Sequence, residues 1–219
     1  MENYEILINN PKLNLIIDSI NEKNKDVLLA CHGRYHTTFV VNTIEYILNS
    51  LGYNSKMIEL GKIAGLLHDI GTLNGKKGHA IKSSEMCKMF LDKTHLSHED
   101  KNIIIEAIAN HSNGEHISSP VGAALLIADK IDISKNRVLE LGRKDFWHSN
   151  LLNIEQVQLS IEESKIIINY LANDNFSEEI LLSEWQKGFL IPVRASEYLG
   201  CGCIYQINGE TIDLIEKMR

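Results

Sequence analysis

Residues 65–71 read Gly-Leu-Leu-His-Asp-Ile-Gly, and how this run is placed decides the rest of the chain. Upstream, Ile58, Leu60, Ile63, Ala64, Leu66 and Leu67 recur at helical spacing with few charges between them, which predicts a buried helix over residues 56–70. His68 and Asp69 fall at its end. Gly71 and the polar stretch 72–78 follow, and a glycine-rich bend permits close backbone approach to a ligand. The doublet is therefore expected at the mouth of a core rather than on a loop tip.

Working outward, the neighbouring segments are also helical and carry polar residues near their ends. Phe39, Val40, Ile44, Ile47, Leu48 and Leu51 predict a helix from Thr37 to Leu51, with His36 at its beginning and Gly52 as a stop. Leu13, Ile16, Ile17 and Ile20 give a packing helix after Pro11. His79 opens a further amphipathic run. Ser97 and Asp100 have the spacing of a capping box before the apolar residues 103–109, and His111 closes that helix. Pro120 suits a first helical turn, after which Val121, Ala124, Leu125, Ile127 and Ala128 lead to Asp129. Small residues there favour close helix contact.

The texture changes near residue 150. Val157, Leu159 and Ile161 alternate, residues 166–168 are a β-branched run, and Cys203, Tyr205 and Ile207 alternate again before Asn208-Gly209, a hairpin signal. Residues 176–190 suit a helix covering a small sheet. The expected organisation is a predominantly all-α core over residues 1–150, with a small α+β extension over residues 151–219 packed on it.

A formal charge of -7 provides no global basic field, so no stable nucleic-acid partner is expected. The start of the chain has an acid where a secretory signal would be basic, and no later stretch offers about 20 consecutive apolar residues. Cytoplasm is the expected compartment, with no membrane partner. The cysteines, at 31, 87, 201 and 203, lack the spacing of a zinc knuckle or redox pair and read as reduced small side chains.

His36, His68, Asp69, His79, His111 and Asp129 occur on successive predicted helices near their ends, where a bundle can gather them. Imidazole and carboxylate donors suit first-row divalent cations, with Fe or Mn first and Zn, Mg, Co or Ni as alternatives. Asp69 has two oxygens and can touch two metals about 3.5–4 Å apart. His36, His68 and Asp129 would complete one shell, and His79 and His111 the other. Taken singly, each of these histidines would more often be a cap or a core-edge residue; the case rests on the set.

With its early His36, the His68-Asp69 doublet and Asp129 within Leu-Ile-Ala-Asp-Lys-Ile-Asp, the chain resembles the HD phosphohydrolase superfamily over residues 30–140. That resemblance implies an HD-domain helical core holding one or two divalent metals, with Asp69, His68 and Asp129 at the centre of catalysis. It implies hydrolysis of a phosphate ester or phosphoanhydride by metal-activated water. His79 and His111 look like the additional ligands of its binuclear branches. Gly71-Thr72 replaces the acidic pair of the guanosine tetraphosphate hydrolases, and Ser-Asn-Gly-Glu-His after His111 lacks the signature of the cyclic-dinucleotide phosphodiesterases. Small bacterial HD proteins acting on diadenosine tetraphosphate or other nucleotides are more similar.

The expected partner is therefore a small phosphorylated molecule, a nucleotide first. Lys76, Lys77, Lys130, Lys135 and Arg137 are candidates for its phosphate, although solvated loop charge is the plain alternative. Asp132 is a candidate to support a ligand from behind, or a surface or capping residue. Trp147 and Trp185 read as packing anchors. His32 borders the pocket or is exposed, His95 and His98 suit a connection, His148 lies near the end of the helical portion, and His116 either approaches substrate or, the preferred reading, sits on a surface loop; none of these four needs a catalytic role. Two different readings stay open: a metal-stabilised regulatory binding module without catalysis, and an iron-dependent oxygenase. A homodimer is a further expectation.

Overall fold

The computed structural model describes residues 2–212; residues 213–219, the end of the expected extension, lie outside it. The chain forms helices α1 (Asn3–Ile8), α2 (Pro11–Lys23), α3 (Arg34–Ser50) and α4 (Ser55–Leu67), then a 3-10 turn over Ile70–Asn74. Helices α5 (His79–Leu91), α6 (His98–Asn110) and α7 (Pro120–Ile131) complete the helical body. The remainder is α8 (Phe146–Leu151), β1 (Ile154–Glu162), β2 (Lys165–Ala172), α9 (Glu178–Glu184), α10 (Gln186–Tyr198), β3 (Gly202–Ile207) and β4 (Glu210–Thr211). The fold is a predominantly helical core with a small C-terminal α+β extension, as the sequence predicts. No described helix is long and apolar enough to cross a membrane.

Close packing of α4 against α3 begins with two glycines. A Cβ at Gly61 would lie 2.6 Å from Ile44 and 2.7 Å from Leu48, and one at Gly65 would lie 2.9 Å from Ile44. Without side chains at these positions the two helices approach nearly backbone to side chain, and their antiparallel course returns His68 to the level of His36. α3 starts at Arg34, so His36 lies inside its first turn rather than ahead of it.

Every residue of α7 from Val121 to Asp129 is buried, so this helix is at least as enclosed as α4, the helix whose apolar stripe is clearest in sequence. It packs on α3, α4, α6 and α10. Ser119 caps it, accepting from the Gly122 amide at 3.1 Å, and Pro120 occupies its first position. It stops at Ile131, and Asp132 is already outside the helix.

The extension contains a four-stranded sheet in the order β1-β2-β3-β4. β1 and β2 are an antiparallel hairpin turning through Glu163 and Ser164, both at positive φ. β2 and β3 run parallel, joined by the α9–α10 crossover, and β3 returns to β4 through Asn208-Gly209 at φ 50° and 85°. Ile166, Ile168, Tyr170 and Tyr205 face inward, and the buried apolar side chains run without a break from the helical body into this sheet. α10 lies along α7, so the sheet is held close to the end of the body where His36, His68 and Asp129 lie.

Candidate metal centre

Three imidazoles obtain their orientation from the chain that carries them. His68 Nδ1 donates to the Gly65 carbonyl at 2.8 Å, His79 Nδ1 to Lys76 at 2.9 Å, and His111 Nδ1 to Ile108 at 2.7 Å. Each carbonyl belongs to the residue three positions earlier, so the bond forms as the helix end or turn closes. A carbonyl only accepts, which places the ring proton on Nδ1 and leaves the Nε2 lone pair pointing away from the backbone. His36 reaches the same state through a carboxylate: its Nδ1 donates to Asp132 Oδ2 at 2.7 Å.

These Nε2 atoms meet in pairs. His36 Nε2 is 3.2 Å from His68 Nε2, and His79 Nε2 is 3.0 Å from His111 Nε2. Two neutral imidazole lone pairs at that distance repel unless a proton or cation stands between them. Asp69 divides its carboxylate between the pairs: Oδ2 lies 3.5 Å from His36 and 3.2 Å from His68, while Oδ1 lies 3.4 Å from His79 and 3.6 Å from His111. Oδ2 is buried and has no hydrogen-bond partner. His36, His68 and Asp69 form one cluster able to hold a divalent metal, and Asp69, His79 and His111 form a second. The donor set is all acceptor, buried and short of protons, which fits a cation.

Asp129 joins the first cluster from α7, with Oδ1 3.2 Å from His36 Nε2 and Oδ2 paired to Lys130. Burial works to neutralise Asp69 and Asp129, yet His68 and His32 around Asp69, and Lys130 and His36 around Asp129, hold both well below the usual carboxylate range. Burial would also keep His36 neutral, but Asp129 and Asp132 outweigh it and push the ring up to about 10. In the metal-free chain, positive charge is thus favoured at the spot where the acceptors converge. Burial lowers His79, against the pull of Asp69.

Gly71 fixes the distance between the clusters. A Cβ there would sit 2.4 Å from the Ser83 amide and 2.6 Å from the His79 carbonyl, so only a glycine lets the turn after Asp69 lie against α5. The Gly71 amide donates to Ser83 Oγ at 2.9 Å across the contact.

The clusters open into a cavity of about 760 Å³. Lys76, Lys130 and Arg137 line it; Lys77 and Lys135 do not, and Lys135 pairs with Glu155 instead. Arg137 donates to Asp132 Oδ2 at 3.1 Å; Asp132 stands at the C-cap position of α7, buried behind His36 rather than on the surface. Of the two places open to His32, the structure gives the pocket: it is 4% exposed, lines the cavity, and donates from Nδ1 to the Ala30 carbonyl at 2.7 Å. Burial lowers its pKa to about 4. Its spacing from His36 suggests a shared helix face, but α3 begins between them, so the signal is weak. Trp147 and His148 of α8 and Trp185 at the α9–α10 junction also line the cavity.

Residues 33–136 match the family described as the HD domain. A solved structure described as a predicted HD superfamily hydrolase from an uncultured Thermotogales bacterium is 23% identical, with 66% of this chain and 88% of that chain covered and a TM-score of 0.45. No curated protein matches.

Proposed function

We propose, from the match of residues 33–136 to the HD domain, that the chain hydrolyses a phosphate ester or phosphoanhydride in a nucleotide or related small phosphorylated molecule. The observation that carries this reading is the split of the Asp69 carboxylate, one oxygen toward each histidine pair. In this reading His36, His68 and Asp129 would hold one divalent cation and His79 and His111 a second, with Asp69 contributing to both; Fe or Mn would come first, with Zn, Mg, Co or Ni as alternatives.

Divalent cations, when bound there, supply Lewis acidity that lowers the pKa of water and offsets charge at phosphorus. The chain's own residues do the rest. Nδ1 bonds fix the imidazoles, so little reorganisation accompanies the reaction. Lys130 and Arg137, held by Asp129 and Asp132, direct a positive field toward phosphoryl oxygens, and Lys76 reaches the cavity from the loop. Water adds to phosphorus as the bond to the leaving oxygen breaks. Cytoplasmic location and a homodimer belong to the same proposal.

The test is hydrolysis of mono-, cyclic and dinucleotides, read as free phosphate for the first and as nucleotide products separated by chromatography for the other two, by chain stripped with chelator and reloaded with each metal in turn. Hydrolysis of at least one substrate, and its loss in Asp69→Ala, are expected. A folded, metal-loaded chain that hydrolyses none of them overturns the proposal and favours a binding module.

A further inference from the structure

The cavity extends well past the histidines. Its volume lies in the range of sites that enclose a whole small molecule, and its far wall comes from α8, α9 and α10 rather than from α1–α7. That wall is built on two aromatic side chains. Trp147 of α8 and Trp185 at the α9–α10 junction stack with ring centres 4.8 Å apart and planes 24° from parallel. Gly188 makes this possible: a Cβ there would lie 2.0 Å from Trp185 Cε2 and 2.1 Å from its Nε1, so only glycine lets the indole rest on α10.

Both indole Nε1 atoms are shielded from water and lack an acceptor. Buried tryptophans usually find one. Two unsatisfied indoles side by side, in the wall of an open cavity, are poorly explained by packing alone.

Charge gives the cavity a direction. Lys76, Lys130 and Arg137 stand toward the metal clusters, whereas the tryptophan end mixes Lys187 with Glu184 and Asp145, the last paired with His148 at 2.6 Å. The far end is therefore not a second anion site. It suits a flat ring with an apolar face and hydrogen-bonding edges.

We propose that Trp147 and Trp185, seated on Gly188, form a recognition subsite for a flat heteroaromatic ring, the base of a nucleotide whose phosphate lies at the metal clusters. This rests on the phosphohydrolase reading for the phosphate end only.

Trp147 and Trp185 are the only tryptophans in the chain, so intrinsic fluorescence reports on this wall alone. The full chain is titrated with a nucleoside, a nucleoside monophosphate and ribose phosphate. Saturable quenching by the first two and none by the third is expected. Trp185→Ala, and separately Gly188→Ala, which displaces the indole without removing it, should raise the ratio of KM for nucleotide over ribose phosphate about tenfold. Absence of quenching, or an unchanged ratio in both variants, overturns the subsite even if phosphate is released. Quenching by nucleosides in a chain that hydrolyses nothing supports the subsite and sinks the hydrolase reading instead.

Discussion

His36 Nδ1 donates to Asp132 Oδ2 across 2.7 Å, and both side chains are sealed from solvent. Asp132 thereby fixes which nitrogen of His36 faces the cavity, and it anchors Arg137 with the same oxygen. Asp132→Ala removes both functions without touching the cluster. Metal affinity should fall by about 10–100-fold, the usual cost of losing a supporting carboxylate. Asp132→Asn, which still accepts from Nδ1, should recover part of it. Titration of metal-free protein measures this; equal affinity in all three chains would deny Asp132 an orienting role.

Gly71→Ala forces a methyl group into backbone atoms of α5. Overpacking of this kind costs about 1–3 kcal/mol. The strain should also displace His79 from Asp69 while leaving His36 and His68 in place. Metal content per chain is expected to drop from two toward one, with a lowered Tm. Full occupancy of both positions would show that the contact is softer than its 2.4 Å approach indicates.

Cations should stabilise the fold, because the converging acceptors bind them in the folded chain and not in the unfolded one. At a free concentration one hundred times Kd the gain is about 2.7 kcal/mol per site, or about 5–10 °C in Tm for a chain of this size. Thermal unfolding with chelator and with Mn checks it. A Tm indifferent to every divalent metal counts against the clusters as cation sites.

Asp100 provides a pH test remote from the metal centre. Burial raises its pKa, but Lys56 and Ser97 outweigh this and hold the carboxyl below its ordinary value. A depressed folded-state pKa adds stability above the unfolded value, near pH 4, and that stability is lost as pH falls through the folded value. Asp100→Asn should therefore cost about 1 kcal/mol at neutral pH, discounted because Lys56 is largely exposed, and the two chains should converge in acid. A constant difference down to pH 2 would rule out the carboxylate charge as its source.

The helical core and its acid-imidazole clusters are legible in sequence because their signals are local. The doublet ends an apolar stripe, and the glycine after it allows a close approach that residue type alone announces. Sequence leaves His32 and Asp132 each between a place at the pocket and one on the surface, because the choice depends on where a helix begins or stops: α3 at Arg34 and α7 at Ile131. The surface lysines have no period to read, so Lys77 and Lys135 look the same in sequence as Lys76 and Lys130. Trp147 and Trp185 read as packing because sequence cannot show that their wall faces an open space.

His36 and Asp132 are separated by 96 positions, and the Cys31 amide reaches the Arg137 carbonyl at 2.7 Å over a still longer span. Such contacts carry a large loop-closure entropy and form late, after neighbouring helices have paired. The cation-binding geometry should thus be absent from the folding transition state. Bound metal is then expected to act as a kinetic lock, lengthening the lifetime of the native chain while leaving its rate of formation nearly unchanged.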